Sequence, residues 1–469
     1  MDQDSNFLNI LKDWYRPGVE SLLLRDDPFV NLIRKVRVAG EKYVFNSLYD
    51  HGGATSSDYD VSFEAATKVA HNAKFSVPIV NHQLFSSYFV NSKQIAATVN
   101  ERGSFIVDAA NDMAAATDSF RKNMVAQFYG NSYGEIAVLA SGTAFVANTP
   151  IAITLSSSAI FRIGEDQKLI VKANLSDTDA QKLLALTVSE IDEDAGTVTV
   201  IPSDTVTLAA DAFLTVAGAT DPSGNPILPS GLLDWLPIKN ARTSTPWKTF
   251  ISTSFNGVNR AAAPARLAGS FYYNSSNTTY KQDLYGLAAK VRRHASKAPI
   301  CVVNDNDYVK IMAELDNTNR IYTDSKSRSK EKDGSMGWDT MSISVSKSYI
   351  DRIVDSPAMP AGLFFMGDPE TWELVCMTRT DKVDSNINSD AAGGATVEQL
   401  AEGALGTKEN NEKFGLLIDD LLAIHPAKNY EGPGAVVSLQ FFGDFVCVAP
   451  GKNGIGILHD ATPANIIGY

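Results

Sequence analysis

The chain has 469 residues, enough for roughly two to four units of ordinary domain size. Its 44% hydrophobic and 20% charged residues exclude wholesale disorder and collagen-like structure. Lys plus Arg number 41 against 54 Asp plus Glu, and the net charge of −13 argues against a dedicated nucleic-acid binder, which needs cations to displace phosphate counterions, without excluding one local contact. Cys301, Cys376 and Cys447 are widely spaced and flanked by apolar residues, so they read as buried small hydrophobes in a reducing compartment rather than a disulfide framework. The acidic start has no signal-peptide pattern, and the uncharged stretch from Ile136 to Phe161 is broken at Asn148-Thr149-Pro150. It reads as strand, turn and strand rather than a membrane span, and a soluble cytoplasmic product is expected.

In chain order, Phe7, Ile10, Leu11 and Trp14 make one apolar face of a helix over 5–16. A second short helix is expected through Phe29, Leu32, Ile33 and Val36, with Asp26 and Asp27 at its start and Arg34, Lys35 and Arg37 at its end, as the helix dipole prefers. Residues 41–50 read as a strand. A polar Gly- and Ser-rich section follows from His51 to Ser62, and Phe75, Val77 and Ile79 alternate in a returning strand whose Pro78 marks an edge. The two strands form a long hairpin with a loose tip, unstable alone and expected to lie on another molecule. A helix then starts at Ser104 and carries Ile106, Ala109, Met113, Ala116, Phe120, Met124 and Phe128 to a stop at Gly130-Asn131.

From 146 to 220 Thr, Val, Ser and Asp dominate and the pattern is all-β. Residues 160–221 hold eleven acidic side chains against four basic ones, a net of −7. After the linker at 221–226 the texture becomes α/β. A helix over 283–296 shows Leu284, Leu287, Ala288 and Val291, and 299–303 is a buried strand. A second helix over 304–315 carries Tyr308, Ile311, Met312 and Leu315. Strands are expected at 341–345, 362–366, 416–425 and 436–448, with a charged loop at 325–333 and a polar one at 384–394.

Sites of chemistry are scarce. The sequence has no nucleophile elbow, phosphate-binding glycine loop or metalloprotease helix, and the two S-x-x-K matches, at Ser119 and Ser329, lack their companion motifs. The histidines His51, His71, His82, His294, His425 and His459 show no zinc spacing. Asp384-x-Asn386-x-Asn388 opens like a calcium loop but has Ser389 at the turn and Ala395 at the bidentate position. No catalytic, cofactor or metal residue is assigned, no cofactor is expected, and a hydrolase with an accessory β domain ranks low.

The order of parts is more telling than any motif. An arm, a hairpin, one long helix and Phe128-Tyr-Gly-Asn-Ser-Tyr-Gly-Glu lead into a β module holding Phe161-Arg-Ile-Gly-Glu and Glu190-Ile-Asp-Glu-Asp-Ala-Gly-Thr-Val. Then come Gly231-Leu-Leu-Asp-Trp-Leu and Pro299-Ile-Cys-Val-Val-Asn-Asp-Asn-Asp-Tyr. This order resembles the major capsid proteins of tailed bacteriophages, over roughly 5–469. The resemblance implies an α+β Hong Kong 97-type fold: N-terminal arm 1–38, extended loop 39–90, peripheral domain with its spine helix 91–145, and inserted β domain 146–220. A peripheral connection at 221–270, an axial domain at 271–410 and closing strands at 411–469 complete it.

It also implies a virion capsid protein, assembled in the host cytoplasm into hexamers and pentamers of an icosahedral shell around double-stranded DNA. Its partners would be further copies of itself, a separate scaffolding protein, a portal and a cement protein, with no membrane. The Met1 start carries the expectation that protease maturation is not used, and no crosslinking chemistry is assigned. Subunit contacts are expected at Phe7, Leu11, Trp14, Phe29, Ile33, His51, Lys68, His71, Phe75 and Val77, and weak DNA contact at Arg34, Lys35 and Arg37. The acidic β module is expected to face outwards. A tail sheath or tube protein is the structural alternative, and an encapsulin-like compartment fits the length poorly.

Overall fold

The computed structural model describes residues 27–38, 40–50, 55–65, 71–91, 108–209, 211–238, 251, 254–294, 300–318, 341–345, 348–377, 422–426 and 434–461. The helix expected at 5–16, the Ser104 cap and the loops at 325–333 and 384–394 lie outside them. The chain divides into two compact units, one of residues 1–25, 85–122 and 379–441 and one of 26–84, 123–378 and 442–469. In the first, Leu422–Pro426 pairs antiparallel with the leading half of Gly434–Cys447, Leu422 opposite Leu439. The long helix Asp108–Phe128 begins there and runs on into the second unit.

Among the described residues, the second unit holds three larger sheets, a short two-stranded ladder of Ala144–Phe145 with Val206–Thr207, and the hairpin. In the inserted module six antiparallel strands lie in the order Glu135–Leu139, Ala212–Val216, Lys168–Lys172, Leu184–Asp192, Thr197–Pro202, Ile151–Thr154. Their alternating residues enclose a core of their own, with Leu169, Val171, Val188, Val198 and Leu214 fully or almost fully buried. The sheet opens at Glu135, upstream of the expected start at 146, because that strand pairs with the last one, Ala212 opposite Leu139.

A second six-stranded sheet, over much of the stretch expected to be the axial part but joined by Gly454–Ile457 from beyond it, is mixed, in the order Ser270–Tyr272, Gly454–Ile457, Leu363–Gly367, Ile300–Val303, Ser348–Asp355, Met341–Val345. Its central strands are buried along their whole length, which is why they read as unbroken apolar runs. The helices Tyr280–Arg292 and Asp305–Thr318 pack on it, and Leu284, Leu287, Ala288, Val291 and Ile311 supply the buried face that their spacing announced.

The inserted module touches the axial part through its helix Ser157–Phe161. The Asn306 amide donates to Ser157 Oγ, the Ala361 amide to Ser158 Oγ, and Arg162 to the carbonyls of Glu135 and Ala358. Arg162 is buried, and burial lowers its pKa to about 10 against the opposing pull of Glu135.

The third sheet corrects the expected second helix. Val30–Leu32 is a single 3-10 turn, and Arg34–Val38 is a strand lying parallel to Trp372–Met377, Arg34 opposite Glu373. Valines at 36 and 38 favour the strand, and Ile33 already has extended dihedrals. The acidic Asp27 caps the short turn: its Oδ1 accepts from the amides of Phe29 and Val30. Trp372–Met377 in turn pairs antiparallel with the trailing half of Gly434–Cys447. Beneath lies an aromatic cluster in which Phe128 meets Phe29, Trp372 and Phe445 at ring-centroid distances of 5.7, 5.2 and 5.1 Å.

Candidate assembly surface

The hairpin pairs Lys42–Asp50 with His71–Pro78, Phe45 opposite Phe75 and Tyr43 opposite Val77. Directly opposed residues share a face. On the inner face Ala73, Phe75 and Val77 are buried, Phe75 and Val77 completely, and the Trp235 ring lies 5.5 Å from Phe75 and 6.2 Å from Phe45. Trp235 is fixed from the other side by its Nε1, which donates to the Phe445 carbonyl at 2.7 Å. At the root, Tyr43 donates to Glu373 Oε2 at 2.7 Å, and burial together with that carboxylate pushes the phenol up to about 12.

The outer face has no such cover. Val44 and Leu48 stand there 46% and 51% exposed. The tip is more apolar still. The section read as loose and polar contains a helix, Tyr59–Ala65, started by Asp58, whose Oδ1 accepts from the Asp60 amide. Tyr59 and Phe63, one turn apart, stack at 5.9 Å, and Tyr59, Val61 and Phe63 are 76%, 53% and 65% exposed. Sequence reading missed these residues; the signal was the capping Asp58 followed by aromatics four apart.

Of the residues expected at subunit contacts, Phe29, Ile33, Phe75 and Val77 are buried within this chain and serve its own core. His71 is exposed and its ring lies 6.0 Å from that of Tyr49. Phe7, Leu11, Trp14, His51 and Lys68 lie outside the described residues. Arg34, Lys35 and Arg37 do not end a helix: strand alternation puts Arg34 on one face and the other two on the opposite face. Arg34 and Arg37 are exposed, and Arg34 Nη1 stands 4.0 Å from Glu373.

The buried polar groups are structural in geometry. Asp444 Oδ2 lies 2.8 Å from His82 Nδ1 and accepts from Ser230 Oγ at 3.1 Å. The carboxylate stands between serine and imidazole, so the serine bonds to Asp444 and not to the ring of His82, and all three residues are buried. Asp234 accepts from the amides of Ser132 and Gly231, and burial raises it to about 6 despite those bonds. In the axial part, Asp283 Oδ2 accepts from the His459 amide and meets His459 Nδ1 at 2.7 Å, tying the chain after the last strand to a helix. Among the described residues no group of three His, Cys, Asp or Glu could hold a metal ion, and no described helix is long and apolar enough to cross a membrane. The three cysteines are free and buried, and burial pushes the Cys376 thiol up to about 12.

No family model matches the sequence, and no curated protein matches it in sequence. Solved structures do resemble it. The protein of the cyanophage A-1(L) capsid asymmetric unit has a TM-score of 0.51 at 9% identity, over 96% of this chain and 98% of that one. The capsid of a native GTA particle has 0.43 at 8% identity, over 96% of each chain. The holo-SrpI encapsulin complex from Synechococcus elongatus PCC 7942 has 0.41 at 7%, over 100% of this chain and 98% of that one. At such identities the likeness is one of fold, and the first of the three carries it.

Proposed function

We propose that this chain, which has the fold of tailed-phage major capsid proteins, is the repeating subunit of a closed protein shell. The observation that carries the reading is the hairpin: one face is packed on Trp235, while Val44, Leu48 and the tip's Tyr59, Val61 and Phe63 are left in water. Apolar side chains grouped in water on a projection mark an interaction site, and for a shell subunit the molecule that covers them is a further copy. The finer reading is an icosahedral shell of hexamers and pentamers that packages double-stranded DNA in a virion, assembled in the host cytoplasm with a separate scaffold and a portal. The acidic inserted module then faces outwards, away from the genome and open to a cement protein, because its net negative charge is repelled by packaged phosphate. The test is negative-stain microscopy of the expressed protein with and without its scaffold. Capsomers or particles are expected; uniform monomers under both conditions overturn the reading.

A further inference from the structure

One group of cations stands without acids. The helix Tyr280–Arg292 ends in Lys290, Arg292, Arg293 and His294. The turn Pro450–Lys452 packs on that helix and also on the short helix Pro264–Leu267, which carries Arg266 in its last turn. The approach is close: a side chain added at Gly451 would stand 3.0 Å from the Arg266 Cα. Arg266 and Arg293 are exposed, and His294 and Lys452 are half-buried. Lys290 is already engaged, since its Nζ donates to the Phe271 carbonyl at 2.8 Å and lies over the Tyr272 ring. Arg266 donates through one Nη to the Tyr49 carbonyl. Among the described residues no carboxylate forms an ion pair with Arg266, Arg293 or Lys452. The charges that act on His294 are Arg266 and Arg293, both positive, and together with burial they push its imidazole below 6.5.

A helix end favours cations, which accounts for Lys290, Arg292 and Arg293. It does not account for Arg266 and Lys452, which two other elements bring to the same place. Like charges gathered in this way repel one another, and an anion among them removes the repulsion. A protein partner calls for apolar anchors as well as charge, and no large exposed apolar residue lies on any of the three elements. We propose that Arg266, Arg293, His294 and Lys452 form a local contact for the phosphate backbone of nucleic acid, on a chain whose net charge of −13 otherwise repels it. This rests on the shell reading, in which the polyanion at hand is the packaged duplex. It places the contact here rather than on the strand Arg34–Val38, where Arg34 and Arg37 lie on opposite faces and form no single patch.

The test is fluorescence anisotropy of a labelled DNA duplex titrated with the purified chain over a series of salt concentrations. Arg266 is left in place because it also holds Tyr49. The variants are Arg293→Ala with Lys452→Ala, the charge-keeping Arg293→Lys with Lys452→Arg, and a control, Arg34→Ala with Arg37→Ala; melting curves report that each folds. The double alanine variant is expected to bind more weakly, with a salt slope smaller by about two, one for each lost phosphate contact. The charge-keeping variant and the control should retain the wild-type slope. An unchanged slope in the double alanine variant, an equal loss in the control, or a wild-type chain that ignores the duplex at low salt overturns the assignment. If inorganic phosphate at equal ionic strength displaces the duplex completely, the site takes a single anion and the nucleic-acid contact falls. Microscopy keeps the two readings apart. Wild-type monomers that bind the duplex through these residues sink the shell reading alone, and particles whose double alanine variant keeps the full slope sink this contact alone.

Discussion

Asp27 shows how much one side chain can organise. Its Oδ1 accepts from the amides of Phe29 and Val30 and from the Tyr129 hydroxyl, and its Oδ2 accepts from Ser356 at 2.6 Å. Burial raises its pKa above 3.8, and the four hydrogen bonds oppose that rise. Because the folded state holds the proton more tightly than the unfolded one, the carboxyl detracts from stability as the pH rises above 3.8. Asp27→Ala leaves four donors without an acceptor and should cost about 3 kcal/mol or more in urea unfolding. Asp27→Asn keeps the acceptor for three of them, gives Ser356 a donor and removes the buried charge, so it should cost under ~1 kcal/mol at neutral pH. Equal losses for the two would contradict this account. From the sequence, Asp27 could be seen to begin an element; that the element was one 3-10 turn before a strand depended on a pairing partner more than 300 residues away.

At the scale of the element, the inner face of the hairpin was legible because alternation of Phe75, Val77 and Ile79 is a local pattern. What holds its root was not. His82 follows the returning strand and meets Asp444, far along the chain, at 2.8 Å. Burial works against its positive charge more than any single contact, but the attraction and hydrogen bond of Asp444, helped by Asp234, together raise its pKa above 6.5. A histidine with a raised folded value contributes stability that is full below 6.5 and is lost as the pH climbs through the folded value. Asp234, raised by burial to about 6, pulls the same way over the window from 3.8 to about 6. The melting temperature should therefore fall as the pH is raised above 6.5. His82→Gln, whose amide can donate to Asp444 without titrating, should abolish that fall. A variant with the wild-type pH profile would show that His82 is not its source.

For the whole molecule, the decisive feature is how the inserted module is held. Residues 160–221 carry −7 of the chain's net charge of −13 and the module has its own core, yet Arg162, which donates to the Glu135 carbonyl within it, also donates to the Ala358 carbonyl outside it. Arg162→Ala removes the cation near buried Glu135 and should cost about 3 kcal/mol. Hydrogen exchange should rise at 157–162 and 358–361 while strands 168–172 and 184–192 stay protected; uniform loosening of the module would argue against this division.

Local pattern was enough for the buried helix faces at Leu284, Leu287, Ala288, Val291 and Ile311, for the buried strands Ile300–Val303 and Leu363–Gly367, and for the strand-rich, acidic texture of 146–220, though not for the helix Ser157–Phe161 within it, because composition and periodicity act over a few residues. Long-range pairing was needed to make residues 34–38 a strand, at the edge of its sheet among the described residues, to bury Phe29, Ile33, Phe75 and Val77 in the chain's own core, and to leave Tyr59 and Phe63 exposed. A side chain's burial is set by whatever the fold brings against it, and those neighbours come from distant segments that no local pattern names.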